Sequence, residues 1–512
     1  MKATDLPLFY NAVDILERNL PHRADKVALY SRERNMTFQA ISDEVNQVGN
    51  ALKKLGVRMG DYVGILALDC PDWVAAFFGA VKIGAIAVGM NTLLTSAEYE
   101  YILRDSRARV VVLHAALIPT YEKIADRSSV EHVIVIGDSG GVYPSYTDWI
   151  ADESTELAVA PTHRDDFCSL NYSSGTTGAP KGILHAHKDY PLTSQLWGIN
   201  VLGLTENDRT FAGAKLFFTF GLGGNLIFPW YAGGSSVLFS GSPRLATNIL
   251  ETVALFQPTI LYNAPTGYAM AMAVENMGET YDLSSLRLCV SAGEALPAPI
   301  WHAWKEQTGL DIIDGIGSTE NFHIFLSNRP DDVRPGSSGK PFAGYELKLV
   351  DEQGNAVAQG EIGNLLVKGE TAALFYLHQY GKSQQTFMGE WLFTGDKYYV
   401  DEDGYYWHAG RSDDMMKVGG IWVSPVEVES TLISHPAVLE CAVVEQADDS
   451  DLIKPKAYVM LNSSYEPSAE MEQTLIAYCR EKMAGYKRPR WIVFVDELPK
   501  TATGKIQRFK LR

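Results

Sequence analysis

Short runs rich in valine and isoleucine recur along most of the chain and constrain its fold more than any other feature. They occupy residues 62–67, 108–113, 130–136, 259–262 and 287–290. Amphipathic helical patterns, such as those at residues 38–55 and 96–105, lie between many of these runs. Strands that alternate with helices form largely parallel sheets with helices packed on both faces. The pattern therefore predicts an α/β fold.

The C-terminal residues carry a different pattern, which predicts a second, smaller α+β domain. Pro425 suits the first turn of a helix at residues 424–434. Strand patterns at 438–444, 456–461 and 491–494 and a helical pattern at 468–483 complete this region. Because 512 residues exceed what one core usually supports, we expect two domains, residues 1–411 and 412–512, divided within the polar segment 410–414.

Charge and cysteine usage exclude several classes of protein. The formal net charge of -18 disfavours nucleic acid and anionic lipid surfaces as partners. The five cysteines are widely spaced and odd in number, which argues against a disulfide framework and a zinc site. We expect buried free thiols in the reducing cytoplasm.

The most apolar stretch, residues 73–90, is not predicted to cross a membrane. A bilayer span needs about 20 apolar residues without a central charge, and here Lys82 lies near the middle. The stretch fits a buried helix, a turn and a buried strand. The N-terminus also lacks the apolar core of a signal peptide, so we expect a cytoplasmic protein without a membrane partner.

The strongest local motif is YSSGTTGAPKG at residues 172–182, which follows an apolar run at 167–170. Its glycines let the backbone approach a ligand closely, and its amides and hydroxyls can surround phosphate oxygens. The candidate phosphate-binding residues are Ser173, Ser174, Gly175, Thr176, Thr177 and Lys181. A Walker P-loop requires GxxxxGK[ST]. Gly178 and Lys181 do not have that spacing, which argues against a P-loop phosphotransferase.

The motif closely resembles the signature loop of the adenylate-forming superfamily of acyl- and aryl-CoA synthetases, adenylation domains and luciferases. Other motifs of that superfamily follow in order: SAGEAL (291–296), GSTE (317–320), FTGD (393–396), GRSDD (410–414) and PKTATGK (499–505). The resemblance implies a large N-terminal domain that binds ATP and the acid, and a small mobile C-terminal domain.

The resemblance also implies roles for the nucleotide-binding residues. Thr319 would contact the α-phosphate, and Glu320 would bind Mg²⁺, which prefers oxygen ligands. Asp396 and Arg411 would hold the ribose hydroxyls. The adenine would lie against Gly293, Glu294 and Ala295, with Asp314 near its exocyclic amine. The family usually has an aromatic residue where this chain has Ile316.

Lys505, in the last motif, matches the lysine that reaches the substrate carboxylate and the α-phosphate in this superfamily. A carboxylate that attacks a phosphate brings two anions together, so a fixed cation lowers the barrier. Asp413 matches the hinge between the domains. Gly419 and Gly420, which follow Val418, would line the pantetheine tunnel, since glycines leave room for a thin chain.

Longer strings are similar to benzoate–CoA ligases. They are AKLFFTFG (214–221), DGIGSTE (314–320), HIFLSNR (323–329) and the run at 499–508. That resemblance places the acid pocket at Phe218, Thr219, Phe220, Gly317, His323 and Ile324. Two departures from it suggest an altered ring preference. That family commonly has Ala-Tyr where this chain has Thr219-Phe220, and Met-Leu where it has Asn321-Phe322.

The resemblance predicts an ATP-dependent aryl-acid–CoA ligase acting on benzoate or a substituted benzoate, with ATP, Mg²⁺ and coenzyme A. An alicyclic acid is an alternative substrate. An enzyme that loads a carrier protein instead of coenzyme A is an alternative function, because it would share every motif above. A nucleotide-binding protein without catalysis is a further alternative, against which the intact Glu320, Asp396 and Lys505 argue. A homodimer is compatible with the resemblance.

Overall fold

The computed structural model describes residues 1–173, 180–242, 245–412, 414–418, 421–448, 452–500 and 506–512, except for the side chains of Ile421 and Trp422. Within these residues the chain builds three large sheets and two small C-terminal ones. The predicted α/β class is confirmed.

The first large sheet is formed by the early valine-rich runs. In spatial order its six described strands are His132–Ile136, Val110–His114, Tyr62–Leu66, Ile86–Gly89, Phe167–Ser173 and Lys181–Ala186. All neighbours are parallel except the last pair. The strand predicted at 167–170 continues to Ser173, so it includes the first two residues of the glycine-rich motif.

The second sheet forms the centre of the N-terminal region. Its nine described strands, in spatial order, are Lys340–Pro341, Ile324–Ser327, Ile312–Gly317, Leu288–Ser291, Ile260–Asn263, Arg209–Ala212, Ser235–Val237, Val27–Tyr30 and Met36–Thr37. The central neighbours are parallel, and antiparallel pairs close both edges.

The third sheet is antiparallel throughout. The sequence predicted parallel strands and did not predict this sheet. Its described strands are Tyr345–Val350, Gly363–Gly369, Trp391–Val400, Phe387–Met388 and Tyr406–Arg411. In the first of these, side-chain burial varies along the strand instead of forming a continuous apolar run, so its sequence lacks the signal of a buried strand.

Helices cover the sheets. The described α-helices are Asp14–Glu17, Leu20–Arg23, Phe38–Lys54, Pro71–Lys82, Ser96–Ser106, Ile118–Tyr121, Tyr146–Ala151, Asp189–Thr193, Thr219–Leu222, Phe228–Ala232, Ala246–Phe256, Pro265–Met272, Met277–Thr280, Ala298–Thr308, Tyr380–Thr386, Pro425–Ile433 and Ala469–Lys482. Two π-helical segments, Ser194–Ile199 and Gly223–Ile227, and short 3₁₀ turns at Ala3–Asp5, Ala115–Leu117, Thr319–Asn321 and Arg508–Lys510 complete the set.

Residues 73–90 show how a charge is accommodated in the core. They contain most of the helix Pro71–Lys82, then a turn and the strand Ile86–Gly89, as predicted. Lys82 is buried and donates to Glu17 and to Asn46. A buried ammonium ion is tolerated only when it is paired in this way. No helix in the described part of the chain is long and apolar enough to span a bilayer.

The C-terminal residues have a hydrophobic cluster of their own, with Val428, Leu432, Val443, Val459 and Leu475 at its centre. The described strands here are Met416–Val418 and Ile421–Val423, which form a hairpin, and Val438–Ala447, Ile453–Leu461 and Trp491–Phe494, which form a mixed sheet. A separate cluster is typical of a folding unit. The boundary between residues 411 and 412 stays a prediction.

Candidate active site

A cavity of about 880 Å³ opens where the carboxyl ends of two central strands meet the antiparallel sheet and the C-terminal residues. Gly315, Ile316 and Gly317 line it at the end of the strand Ile312–Gly317. The carboxyl ends of parallel strands are the usual place for ligands in α/β proteins. The cavity volume is that of a small-molecule site.

Eleven of the predicted site residues line this cavity, although they are far apart in sequence. They are Ser173, Lys181, Phe218, Gly293, Glu294, Ala295, Gly317, Thr319, Glu320, Asp396 and Arg411. Five others do not line it: Asp314, Thr219, Phe220, His323 and Ile324. The predictions for Ser174, Gly175, Thr176, Thr177, Asp413, Gly419, Gly420 and Lys505 lie outside the described residues.

A lysine and a carboxylate lie together at the end of the cavity where the sequence predicts phosphate binding. Lys181 begins its strand directly opposite Ser173 in the antiparallel register, so the hairpin fixes both residues. Burial lowers the pKa of Lys181, and the charge of Glu320 partly offsets that effect. The Lys181 Nζ atom lies 4.9 Å from the centre of the Tyr376 ring. The Tyr376 hydroxyl donates to the Glu320 Oε1 atom at 2.8 Å.

The turn that presents Glu320 is held from several sides. The Ser318 hydroxyl accepts the Asn321 amide at 3.2 Å, which caps the 3₁₀ turn Thr319–Asn321. The Ala373 amide donates to the Glu320 carbonyl at 2.7 Å. Phe322, the next residue, is buried and has φ 69° and ψ −47°. A residue with a side chain in this region is strained by about 1–3 kcal/mol, so its surroundings must hold it there.

Asp396 and Arg411 face each other across two antiparallel strands. The Arg411 Nη1 atom lies 3.2 Å from the Asp396 Oδ1 atom, and the His408 Nε2 atom lies 3.5 Å from the same oxygen. Burial raises the pKa of Asp396, but Arg411 and His408 outweigh it and hold the pKa at about 2. The carboxylate is therefore charged at neutral pH and can accept hydrogen bonds from ribose hydroxyls.

Glycine is required at two positions near these residues and the Glu320 turn. Gly395 has φ +77°, and a Cβ atom there would lie 2.7 Å from the Arg411 Nη2 atom. Gly317 is constrained differently, because a Cβ atom would lie 2.6 Å from the His323 carbonyl oxygen, which belongs to the backbone. Gly395 therefore excludes larger residues mainly through its positive φ, since the Arg411 side chain can move, whereas Gly317 excludes them for reasons of space.

The predicted adenine side is less open than the resemblance implies. Gly293, Glu294 and Ala295 line the cavity, whereas Asp314 is buried behind Gly315 and Ile316. Burial raises the pKa of Asp314 well above its usual value. Its Oδ1 atom has no hydrogen-bond partner in the described part of the chain, but Asp314 does not line the cavity, so its contact with the exocyclic amine stays a prediction.

The predicted acid pocket is an aromatic cluster beside the cavity. Phe218 and Gly317 line the cavity itself. The His323 ring lies 5.4 Å from that of Phe220, 5.1 Å from that of Trp197 and 4.6 Å from that of Phe228, measured between centres. Burial lowers the pKa of His323 to about 3, so the ring is neutral. Aromatic walls of this kind suit a flat, apolar ring.

The tautomer of His323 follows from its one described partner. Its Nε2 atom lies 3.2 Å from the Phe220 carbonyl, which can only accept, so Nε2 carries the proton. The Nδ1 atom is then an acceptor, and it is buried without a partner among the described residues.

The sequence interpretation missed several residues of the cavity wall. Tyr376, Lys382 and His408 all line it. Lys382 is close enough to Lys181 to lower the pKa of that lysine further, after the larger effect of burial. Two neighbouring ammonium groups favour a polyanion between them. The segment that carries Lys382 is polar and contains no motif, so the sequence alone offers no signal for it.

Comparison with known families identifies the class of protein. Residues 16–377 match the model of the AMP-binding enzyme family, and residues 427–505 match that of the AMP-binding enzyme C-terminal domain. The chain belongs to the AMP-binding enzyme family, which confirms the predicted resemblance to adenylate-forming enzymes.

Full-length relatives narrow the comparison to aryl-CoA ligases. The benzoate–CoA ligase of Thauera aromatica is 46% identical, over 100% of this chain and 97% of its own. A crystal structure of the anthranilate CoA ligase AuaEII in complex with anthranoyl-AMP is 67% identical with a TM-score of 0.98, covering 100% of this chain and 98% of its own. A benzoate CoA ligase from Burkholderia xenovorans is 40% identical with a TM-score of 0.92, covering 98% and 100%.

Proposed function

We propose that the protein is an ATP-dependent aryl-acid–CoA ligase. One observation carries the proposal: a single cavity brings together a cation and a carboxylate (Lys181 and Glu320), the charged Asp396–Arg411 pair and the aromatic side chain of Phe218. These groups suit a triphosphate, a ribose and an aromatic ring respectively. The full-length similarity to benzoate and anthranilate CoA ligases supports the same activity.

In the first half-reaction, an oxygen of the acid attacks the α-phosphorus of ATP, and the bond to pyrophosphate breaks. The product is the acyl-adenylate. Negative charge gathers on the phosphate during this step, so nearby cations stabilise the transition state. Lys181 and the predicted Lys505 would supply that charge, and Asp396 and Arg411 would fix the ribose.

Glu320 would hold a magnesium ion bound with the ATP. Its carboxylate lines the cavity, and the Tyr376 hydroxyl orients it through one oxygen. The described residues contain no cluster of three or more His, Cys, Asp or Glu side chains that could hold a metal alone. That arrangement fits Mg²⁺, which usually takes one or two carboxylates together with phosphates and waters. The ion would neutralise phosphate charge.

In the second half-reaction, the thiol of coenzyme A attacks the acyl carbon and AMP leaves. Lys505 and the predicted tunnel at Gly419 and Gly420 both belong to the C-terminal region, and they serve different steps. The small domain would therefore turn about Asp413 between the half-reactions, as in the superfamily. A hinge of this kind absorbs the change in a few backbone dihedrals.

A single-ring aromatic acid with a hydrogen-bond donor on the ring is the substrate that the pocket favours. The buried Nδ1 atom of His323 has no donor among the described residues, and a buried acceptor without a donor is costly. An amino or hydroxyl group on the ring would provide one. The 67% identical relative is described in complex with anthranoyl-AMP, which makes 2-aminobenzoate the first acid to test.

A panel of acids tests this function directly. The purified protein is incubated with ATP, Mg²⁺, coenzyme A and one acid each: 2-aminobenzoate, benzoate, 4-hydroxybenzoate, cyclohexanecarboxylate, hexanoate or palmitate. We expect AMP formation that depends on coenzyme A and is fastest with a ring acid. Preference for palmitate would contradict the proposed pocket, and adenylate formation without transfer to free coenzyme A would favour a carrier-loading enzyme.

Phe220→Ala should weaken binding of the ring acid. A buried aromatic contact and the space it fills are worth at most about 3–5 kcal/mol. Because pockets relax, we expect the KM for the acid to rise about ten- to hundredfold, while the KM for ATP changes little. Phe9→Ala, at a position that is 68% exposed, is the matched control. A parallel rise in both KM values would contradict the assignment of Phe220 to the acid pocket.

A further inference from the structure

A buried histidine on the lysine-bearing strand contacts the turn that carries Thr319 and Glu320. His185 lies near the end of the strand Lys181–Ala186 and has no exposed surface. Its Nε2 atom is 2.7 Å from the Thr319 carbonyl oxygen. Its Nδ1 atom is 2.9 Å from the Asp189 Oδ2 atom. Asp189 is also buried, and the same oxygen accepts the Ala186 amide at 2.9 Å.

The chemistry of the partners places one proton. A carbonyl oxygen can only accept, so the Nε2 atom of His185 must carry a proton and donate to Thr319. On the other side, either the carboxyl group of Asp189 donates to Nδ1, or a charged imidazolium donates to the carboxylate. Both arrangements leave the buried pair without net charge, and both keep the donor that faces Thr319.

A second observation concerns the strained end of the same turn. Phe322, three residues after Thr319, has a strained backbone. Its ring is buried against the His185 ring at 5.2 Å and the Tyr190 ring at 4.7 Å, measured between centres. The turn is thus fixed at its first carbonyl by a hydrogen bond and at its strained end by ring packing. His185 takes part in both contacts.

We propose that His185, oriented by Asp189, is a positioning residue that fixes the Thr319–Glu320 turn relative to Lys181. Lys181 and His185 lie on one strand, so the contact sets the distance between the phosphate-binding lysine and the carboxylate predicted to bind Mg²⁺. This inference rests on the proposed function, which assigns these groups to MgATP. His185 itself does not line the cavity.

Two substitutions separate the hydrogen bond from the ring packing. The amide nitrogen of a glutamine extends about as far as the Nε2 atom of a histidine, whereas that of an asparagine extends only as far as Nδ1. His185→Gln can keep the donor to Thr319, and His185→Asn cannot. Both lose the ring that packs on Phe322, so their melting temperatures should fall by similar amounts.

We expect His185→Asn to weaken MgATP binding, measured by calorimetry, about ten- to thirtyfold, with a similar loss in kcat/KM for MgATP in pyrophosphate release. His185→Gln should stay within about threefold of the parent. Equal losses in the two variants would overturn the inference and leave His185 a packing residue. If His185→Asn does not fold, Asp189→Asn replaces it. The Ala186 amide needs an acceptor at the Oδ2 position, so the oxygen of the asparagine lies there, accepts from Nδ1 and favours the tautomer without a proton on Nε2. Unchanged MgATP binding in that variant would also overturn the inference.

Calorimetry keeps this result separate from the proposed function, because MgATP binding needs no acid. If the parent turned over no aryl acid while the difference between asparagine and glutamine persisted, the positioning role would stand and the aryl-acid activity would fail. The opposite result, an active parent whose two His185 variants bind MgATP equally well, would remove the positioning role alone.

Discussion

Replacing Lys505 with alanine is expected to slow acyl-adenylate formation by a factor of at least ~10³, or roughly 4 kcal/mol at 1.4 kcal/mol per tenfold. The attack of a carboxylate on a phosphate brings negative charges together, and the loss of a fixed cation removes stabilisation that is largest in the transition state. Pyrophosphate release measures this step. Transfer of the acyl group from supplied acyl-adenylate to coenzyme A should be much less affected.

The residues that flank Lys505 support this expectation. Lys500 and Ile506 form an antiparallel bridge, and both line the cavity together with Gln507 and Arg508. The chain therefore reaches the cavity wall on both sides of the predicted catalytic lysine. Lys500 is a matched control, because it is a lysine of the same cavity wall whose ammonium group donates to Glu440 at 2.7 Å.

Lys500→Ala should leave pyrophosphate release within about fivefold of the parent rate, since a partly exposed ion pair contributes only about 0–1 kcal/mol. Comparing Lys505→Ala with Lys500→Ala shows whether the rate depends on a positive charge at position 505 or on any positive charge in the cavity wall. Equal losses in the two variants, or an equal loss of Lys505→Ala in both half-reactions, would contradict the assigned role.

The parallel sheets could be predicted from sequence because their strands are short, apolar runs. The runs at 62–67 and 130–136 correspond to the strands Tyr62–Leu66 and His132–Ile136, with small shifts at the ends. The antiparallel sheet could not be predicted this way. Its strand Trp391–Val400 contains the FTGD motif, whose threonine, glycine and aspartate interrupt the apolar run that would indicate a strand.

The residues of the candidate site also fall into those that the sequence predicts and those that it does not. Motif residues such as Glu320 and Asp396 could be named in advance, since each lies in a recognisable string. Tyr376 and His408 could not, because their roles depend on which side chains the fold brings beside them. Tyr376 orients Glu320 from a loop more than fifty residues away, and no periodicity in the sequence records that contact.

His185 and Asp189 illustrate a third case. They are four residues apart in the string HAHKD, a spacing that often reflects two groups on one helix face. Here His185 belongs to a strand and Asp189 to the following helix, so their contact arises at a strand-to-helix junction. The spacing is visible in the sequence, whereas the carbonyl on which the histidine acts is not.

The second large effect is expected from Arg508→Met, which should destabilise the C-terminal region by about 3–5 kcal/mol. The Arg508 Nη2 atom donates to both oxygens of Glu429, at 2.9 and 2.8 Å. Glu429 is 7% exposed and also accepts the Val443 amide at 2.7 Å. Arg508 Nη1 lies 3.7 Å from Asp414 as well. Removing the guanidinium leaves a buried carboxylate without its cation.

Arg512→Met is the matched control for this substitution. Arg512 pairs with Asp414 at 2.7 Å, and its side chain is 30% exposed. Its loss should cost at most about 1 kcal/mol. The double variant Glu429→Gln/Arg508→Met should recover much of the lost stability, because no buried charge is then left unpaired. Hydrogen exchange in the strand Val438–Ala447, which Glu429 contacts, reports the stability of this region.

The effect of Arg508→Met should depend on pH with a definite sign. Burial already raises the pKa of Glu429, and Arg508 lowers it in part. Without Arg508 the folded-state pKa rises further above the unfolded value of about 4.3. The folded state then binds a proton that the unfolded state does not, so stability falls as pH rises through the folded-state pKa.

Arg508→Met should therefore be less destabilised at pH 5 than at pH 8, as measured by urea unfolding. Equal destabilisation at both pH values, or equal effects of Arg508→Met and Arg512→Met, would show that Glu429 is not the group left uncompensated.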